Sequence, residues 1–177
     1  MVVDRNSISG IAAISSNGML GANGWLPWDI PEDVAYFEKM IEGAALVVGR
    51  LTYATMTSFP QDTFVITSRK DVLLHPGSYA ADSVESALLT AQATGKPVFI
   101  IGGAGIYEAA WPYCQDFFLT RIERSFAGDT LFPSSVPFEQ WRVLQDEEKT
   151  FCERTTGESV VCRFQHYVND KPKKLKI

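Results

Sequence analysis

Polar, glycine-punctuated segments divide the first two thirds of the chain into short, nearly unbroken apolar runs. Residues 8–14, 45–49, 63–67 and 98–101 have the length and aliphatic content of strands buried on both faces; the first carries Ile8, Ile11, Ala12, Ala13 and Ile14 around Gly10. Residues 15–24, with the turn dipeptides Asn17-Gly18 and Asn23-Gly24, read as a loop. Four helices are predicted around the runs: one opened by Pro31, a short one that starts with residues 50–53, one begun by Ser83 and running over 84–93 to Gly95-Lys96-Pro97, and a short one over 107–111. Further on, 117–122, 141–148 and 160–167 read as strands with no strong helix between them, the last two pairing antiparallel. Strands alternating with helices predict an α/β fold. Its core is a single-domain, mostly parallel central sheet flanked by helices, with antiparallel C-terminal strands, over 1–168; a basic tail over 169–177 follows.

The helix opened by Pro31 carries the most informative residue. Proline suits a first helical position, because its fixed φ fits and its missing N–H would have no partner there. At 100° per residue Val34, Phe37, Met40 and Ile41 gather into one stripe that contains Asp33, whereas Glu32, Glu38 and Lys39 point elsewhere. An acid in the first turn complements the helix dipole, but Glu32 fits that role better. Asp33, on the apolar side, needs a hydrogen-bonding partner to offset its desolvation, which marks it as a candidate functional group.

Composition narrows the class. The 177 residues are 46% hydrophobic and 21% charged, values of an ordinary globular domain, and no apolar run approaches the length of a membrane span. The net charge of −5 argues against a nucleic-acid surface. Residues 1–6 lack the features of a secretory signal, which predicts a cytoplasmic protein. Cys114, Cys152 and Cys162 lack metal-ligand spacing and read as free, buried or half-buried thiols, so no metal is expected.

Three strand ends run into helix starts through small or polar residues: Gly49-Arg50-Leu51-Thr52, Thr67-Ser68-Arg69 and Gly102-Gly103-Ala104-Gly105. Free N–H groups at such turns attract phosphate, and Arg50 and Arg69 add full charges. Each turn alone is ordinary turn chemistry, and Gly103-x-Gly105-x-x-Glu108 departs from the dinucleotide fingerprint at its last position. Together they point to a nucleotide.

The motifs Gly10-Ile11-Ala12-Ala13-Ile14, Gly21, Leu26-Pro27-Trp28-Asp29-Ile30-Pro31-Glu32-Asp33, Val48-Gly49-Arg50-x-Thr52, Ile101-Gly102-Gly103-Ala104-Gly105-Ile106-Tyr107 and Gly128-Asp129-Thr130-x-Phe132-Pro133 complete the picture. Their order and spacing, over about 8–164, resemble the dihydrofolate reductase family. The resemblance implies that family's fold and an oxidoreductase of one-carbon metabolism, an antifolate target, that uses NADPH to reduce 7,8-dihydrofolate to tetrahydrofolate. Hydride goes to pterin C6 and a proton to N5. By resemblance Asp33 matches the acid that binds the N3 and 2-amino edge of the pterin, Trp28 the tryptophan that orders a water beside it, and Thr120 the hydroxyl bonded to the acid. Ile11, Ala12, Leu26, Val34, Phe37, Met56, Phe59, Ile101 and Tyr107 would form the substrate pocket. The cofactor side would comprise Ala13, Ile14, Gly21, Gly49, Arg50, Leu51, Thr52, Thr67, Ser68, Arg69, Gly102, Gly103, Ala104, Gly105 and Ile106, with Gly102-Gly103 matching a pair joined by a cis peptide. A monomer with a small-molecule substrate, no nucleic acid and no membrane is expected, and His75 and His166 match no functional position.

One departure stands out. The family's loop before the third strand carries an arginine for the glutamate tail of folate, whereas this loop reads Ser58-Phe59-Pro60-Gln61-Asp62, and Glu38 stands where a basic residue is common. The alternative reading is therefore a reductase of a tailless dihydropterin or related pyrimidine. A degenerate ligand-binding member without catalysis is disfavoured by the presence of Asp33, Trp28 and Thr120 together.

Overall fold

In the computed structural model, which describes residues 7–21 and 26–176, the four predicted apolar runs lie side by side. The elements are β1 (Ile8–Ser15), β2 (Met19–Gly21), α1 (Pro31–Ile41), β3 (Ala45–Gly49), α2 (Arg50–Tyr53), β4 (Thr63–Ile66), β5 (Ser78–Ala81), α3 (Val84–Ala93), β6 (Val98–Ile100), α4 (Ala104–Ala110), β7 (Asp116–Ile122), β8 (Thr130–Leu131), β9 (Arg142–Glu153) and β10 (Glu158–Val168). Eight of the strands form one sheet in the order β5-β4-β3-β6-β1-β7-β10-β9, in which β10 alone runs against the direction of the other seven.

The apolar runs are continuous because both sheet faces are covered. In β3, Ala45 and Val47 join a cluster with Ala87, Leu88 and Ala91 of α3, while Leu46 and Val48 join Ile41 of α1 and Tyr53 of α2 on the other face. Helices therefore layer both faces of the parallel part, as βα crossovers require. At Gly10 of β1 a Cβ would lie 2.2 Å from the fully buried Phe117 ring of β7, so this close packing requires glycine.

Several boundaries differ from the sequence reading. The third and fourth runs stop one residue early, at Ile66 and Ile100, and α4 begins at Ala104 rather than 107, its last predicted residue Trp111 opening a 3₁₀ turn over Trp111–Tyr113. The predicted 15–24 loop contains β2, paired with β8, and β5 adds an edge strand after β4. These strands span only two to four residues and carry no strong alternation, so periodicity gives no signal for them. The predicted Asn23-Gly24 turn and Trp25 lie outside the described residues. Cys114 and Cys162 are buried but Cys152 is exposed, and all three are free. In the β9–β10 register Cys152 faces Ser159 and Cys162 faces Lys149. The basic tail is anchored: Lys173 N–H donates to the Pro112 carbonyl at 2.6 Å, and Leu175 packs against the core.

Candidate active site

Asp33 sits in the first turn of α1 and is 6% exposed. No side chain caps this helix; the Ile30 carbonyl accepts from the Asp33 amide at 3.0 Å, and exposed Glu32 is left to complement the dipole. The acid meets β7, where buried Thr120 is hydrogen-bonded to its carboxyl group. Burial pushes the Asp33 pKa up from 3.8 to about 6, and the Thr120 bond counters only part of that rise. No cation forms an ion pair with Asp33 among the described residues. Its charge is felt by its neighbours: burial, then Asp33 and Glu147, lift Tyr36 to about 12, and burial, then Asp33, Glu32 and Glu123, lift Cys162 to about 12.

Trp28 is buried against Phe126, with ring centroids 5.5 Å apart, and its indole N–H finds no acceptor among the described residues. Such a donor is suited to an occupant of the site. Ile11, Ile101, Phe37, Met56 and Phe59 gather in one apolar cluster. Tyr107 belongs to the opposite face but reaches across, donating its hydroxyl to the Ile11 carbonyl at 2.7 Å. Three predicted pocket residues behave differently. The Ala12 side chain turns to the α3 face, because strand alternation separates it from Ile11. Leu26 and Val34 are 46% and 42% exposed, so Val34 does not join the core as the helical stripe predicts. They leave apolar surface in the segment around the acid.

The three small-residue turns are neighbours because β4, β3 and β6 are adjacent and parallel, so their carboxyl ends share one edge. Gly49 N–H donates to the Gly102 carbonyl at 2.8 Å, joining two of the turns. Gly102 and Gly103 are linked by a cis peptide, and a Cβ on Gly103 would come 2.9 Å from Thr52 Oγ1. At the start of α4 the Ile106 and Tyr107 amides both donate to the Gly103 carbonyl. Ala104 and Gly105 N–H meet no acceptor among the described residues, and nothing lies within 4 Å of a Cβ built on Gly105. Arg50 is half-buried and Arg69 exposed, and neither forms an ion pair among the described residues. Open amides beside unpaired arginines fit the phosphates of a dinucleotide. Thr67 Oγ1 accepts from Arg69 N–H at 3.0 Å, Ser68 and Leu51 are exposed, Ile106 is half-buried over Gly49, and Gly21 lies in β2. Half-buried Ala13 and buried Ile14 continue β1 on opposite faces.

In the loop that departs from the family pattern, Asp62 pairs with Lys96 at 2.7 Å and Phe59 stacks on His75 at 3.6 Å. His166 bonds Asp116 at 2.7 Å. A cavity lined by Glu32, Tyr36, Gln145, Glu147, Lys149 and Phe151 borders the outer side of α1 and includes no predicted site residue. Sequence reasoning missed Glu153, which is fully buried and accepts from the Asp29 amide beside Trp28. The tight Arg154-Thr155-Thr156-Gly157 turn behind it was the available signal.

A sequence profile of the family described as dihydrofolate reductase matches residues 7–169. The dihydrofolate reductase of Buchnera aphidicola subsp. Acyrthosiphon pisum is 33% identical over 147 residues, covering 81% of this chain and 89% of that protein. The Neisseria gonorrhoeae dihydrofolate reductase is 31% identical over 160 residues, covering 89% and 95%. Among solved structures, dihydrofolate reductase from Enterococcus faecalis, complexed with NADP(H) and RAB-propyl, superposes with a TM-score of 0.78 at 27% identity, covering 94% of this chain and 98% of that one.

The raised pKa of Asp33 has a sign that stability must follow. The carboxyl group titrates at 3.8 unfolded and about 6 folded, so the protonated form favours the fold, and that advantage is lost as pH rises through 6. At pH 7, Asp33→Asn is expected to gain up to about 3 kcal/mol over the parent, the gap narrowing towards pH ~4. Urea unfolding of the ligand-free proteins at both pH values checks this; a gap that does not change with pH would contradict it.

Proposed function

The chain belongs to the dihydrofolate reductase family, and from that premise we propose that Asp33 is the group that recognises and activates the pterin. The reaction is NADPH-dependent reduction of 7,8-dihydrofolate to tetrahydrofolate; the tailless-pterin alternative is not favoured by relatives that are dihydrofolate reductases over most of their length. The observation that carries the assignment is a carboxyl group buried in an apolar setting, bonded to Thr120 and without a counter-charge among the described residues.

A pterin offers two N–H donors along one edge, and a two-oxygen acceptor in a low-dielectric wall binds such an edge strongly. Thr120 fixes the carboxyl orientation. Trp28, with its buried indole N–H, would hold a water beside the acid, and the negative charge of Asp33 would favour a proton at N5. Ile11, Ile101, Phe37, Met56 and Phe59, with Leu26 and Val34, would wall the pterin and benzoyl rings and exclude water, and the Ala12 backbone would border them. Tyr107 would steady the Ile11 carbonyl.

NADPH, when bound, supplies the hydride for C6. Arg50, Thr52, Ser68 and Arg69 would hold its phosphates, and the turn of Gly102, Gly103, Ala104, Gly105 and Ile106 would meet the pyrophosphate through backbone amides. Gly49, Leu51 and Thr67 would line the same edge, and Ala13, Ile14 and Gly21 would border it from β1 and β2. The loop of Gln61 and ion-paired Asp62 adds no cation for the substrate tail. We further read the chain as a cytoplasmic monomer without a nucleic-acid partner, its domain spanning 1–168 with a basic tail, in keeping with its net charge of −5 and three free cysteines. No helix among the described residues is long and apolar enough to cross a membrane.

Asp33→Asn is expected to fold and to lose roughly a hundredfold or more in kcat/KM at pH 7, part of it regained in acid where solvent protonates the substrate. NADPH oxidation measured with dihydrofolate tests this, and a variant that keeps the parent kcat/KM at pH 7 would remove the assignment. For the cofactor, replacing Arg50 and Arg69 together by alanine should raise the KM for NADPH about tenfold or more and leave NADH nearly unchanged. Equal effects on both would show that these arginines do not hold the phosphate that distinguishes NADPH from NADH.

A further inference from the structure

We propose that Glu153 is a positioning residue for the reaction: from the tip of the β9–β10 hairpin it fixes the backbone that leads into α1, and through it Trp28 and Asp33. This rests on the reading of Asp33 and Trp28 given above.

Glu153 ends β9 and is 0% exposed. One carboxylate oxygen accepts from the Asp29 amide at 2.8 Å and the Thr155 amide at 3.1 Å. The other accepts from the Thr156 amide at 3.0 Å and from the Thr155 hydroxyl. Arg154 N–H donates to the Asp29 carbonyl at 2.9 Å, and its guanidinium lies 3.8 Å from the Asp29 carboxylate. Both backbone groups of Asp29 are thus taken by the hairpin tip. On either side of Asp29, Trp28 and Ile30 are buried against Val160 and Cys162 of β10 and Ile122 of β7. The polar contacts from the hairpin tip to the segment before α1 thus converge on one residue, Asp29, which stands between the tryptophan and the helix that carries the acid, while Tyr36 of α1 packs on Phe164 of β10 lower down.

Closing the hairpin does not require this arrangement. The turn already closes through Gly157 N–H to the Glu153 carbonyl at 2.8 Å, and no cation forms an ion pair with the Glu153 carboxylate among the described residues. Burial alone would raise the Glu153 pKa, yet bonds from the Thr155 hydroxyl and the Asp29, Thr155 and Thr156 amides hold it near 2. The clamp therefore stays charged throughout the physiological range, and its bond to Asp29 spans 124 positions of sequence.

Length separates positioning from simple stability. Glu153→Asp keeps the charge and can still accept from the Thr155 and Thr156 amides as an Asx turn, but lacks the methylene that reaches Asp29. Glu153→Gln keeps that length and one oxygen for the Asp29 amide. Thr155→Val removes a bond on the hairpin side alone. The parent and three variants are compared by amide hydrogen exchange over 29–34 and by kcat and KM with NADPH and dihydrofolate. Glu153→Asp is expected to speed exchange at least tenfold and lower kcat at least fivefold, with the KM for NADPH within twofold. Glu153→Gln should recover kcat to within threefold of the parent, and Thr155→Val should lose thermal stability with exchange over 29–34 and kcat unchanged. Unaltered exchange in Glu153→Asp, or a fall in kcat shared equally by Thr155→Val, would overturn the proposal. A parent protein inactive on dihydrofolate would defeat the reading of the site instead, and exchange alone would then decide the clamp.

Discussion

A carboxyl group held out of water without a counter-charge is the constraint on which the rest of the site depends. Desolvation raises the pKa of Asp33 towards neutrality, and the Thr120 hydroxyl restrains that rise. Such a cost is offset when a bound ligand returns the lost hydrogen bonds, as the proposed role of Asp33 requires. The scaffold reflects this. Thr120 lies opposite Ala13 in the β1–β7 register and opposite Phe164 in the β7–β10 register, in the middle of the sheet, where neither neighbour can shift without breaking a ladder. Proline starts α1 so that the acid falls in its first turn, and the hairpin tip holds the preceding backbone through Asp29.

The meeting of the three turns follows from topology. Parallel strands bring successive carboxyl ends to one edge, so three unremarkable turns, separated by up to about fifty residues, become adjacent. The partner of the acid and the small-residue turns thus lie towards the same edge of the sheet: Gly102 follows β6, whose neighbour β1 pairs with the β7 strand that carries Thr120.

The sequence made part of this legible for physical reasons. Asp33 was identifiable because its angular position conflicted with its polarity, and the turns because glycine and hydroxyl residues interrupt buried runs. The 3.6-residue period that located Asp33 also placed Val34 in the core, where the structure leaves it 42% exposed; a first-turn residue can border an open site. Ala12 was grouped with Ile11, although strand alternation puts their side chains on opposite faces. Glu153 gave no periodic signal: in sequence it is one more acid in the stretch of residues 146–153, and only the fold brings it to Asp29. Pairings as short as β2 with β8 are likewise set by tertiary contact rather than by propensity.

The tuning of Asp33 as a desolvated acid by Thr120 is open to measurement. Its most direct test is the titration of the Asp33 side-chain carboxyl carbon by NMR in the ligand-free protein, alongside Thr120→Val. The expected midpoint is near 6 in the parent and higher in the variant, which lacks the bond that favours the charged form. A parent midpoint near the ordinary 3.8, or one that Thr120→Val leaves in place, would contradict it.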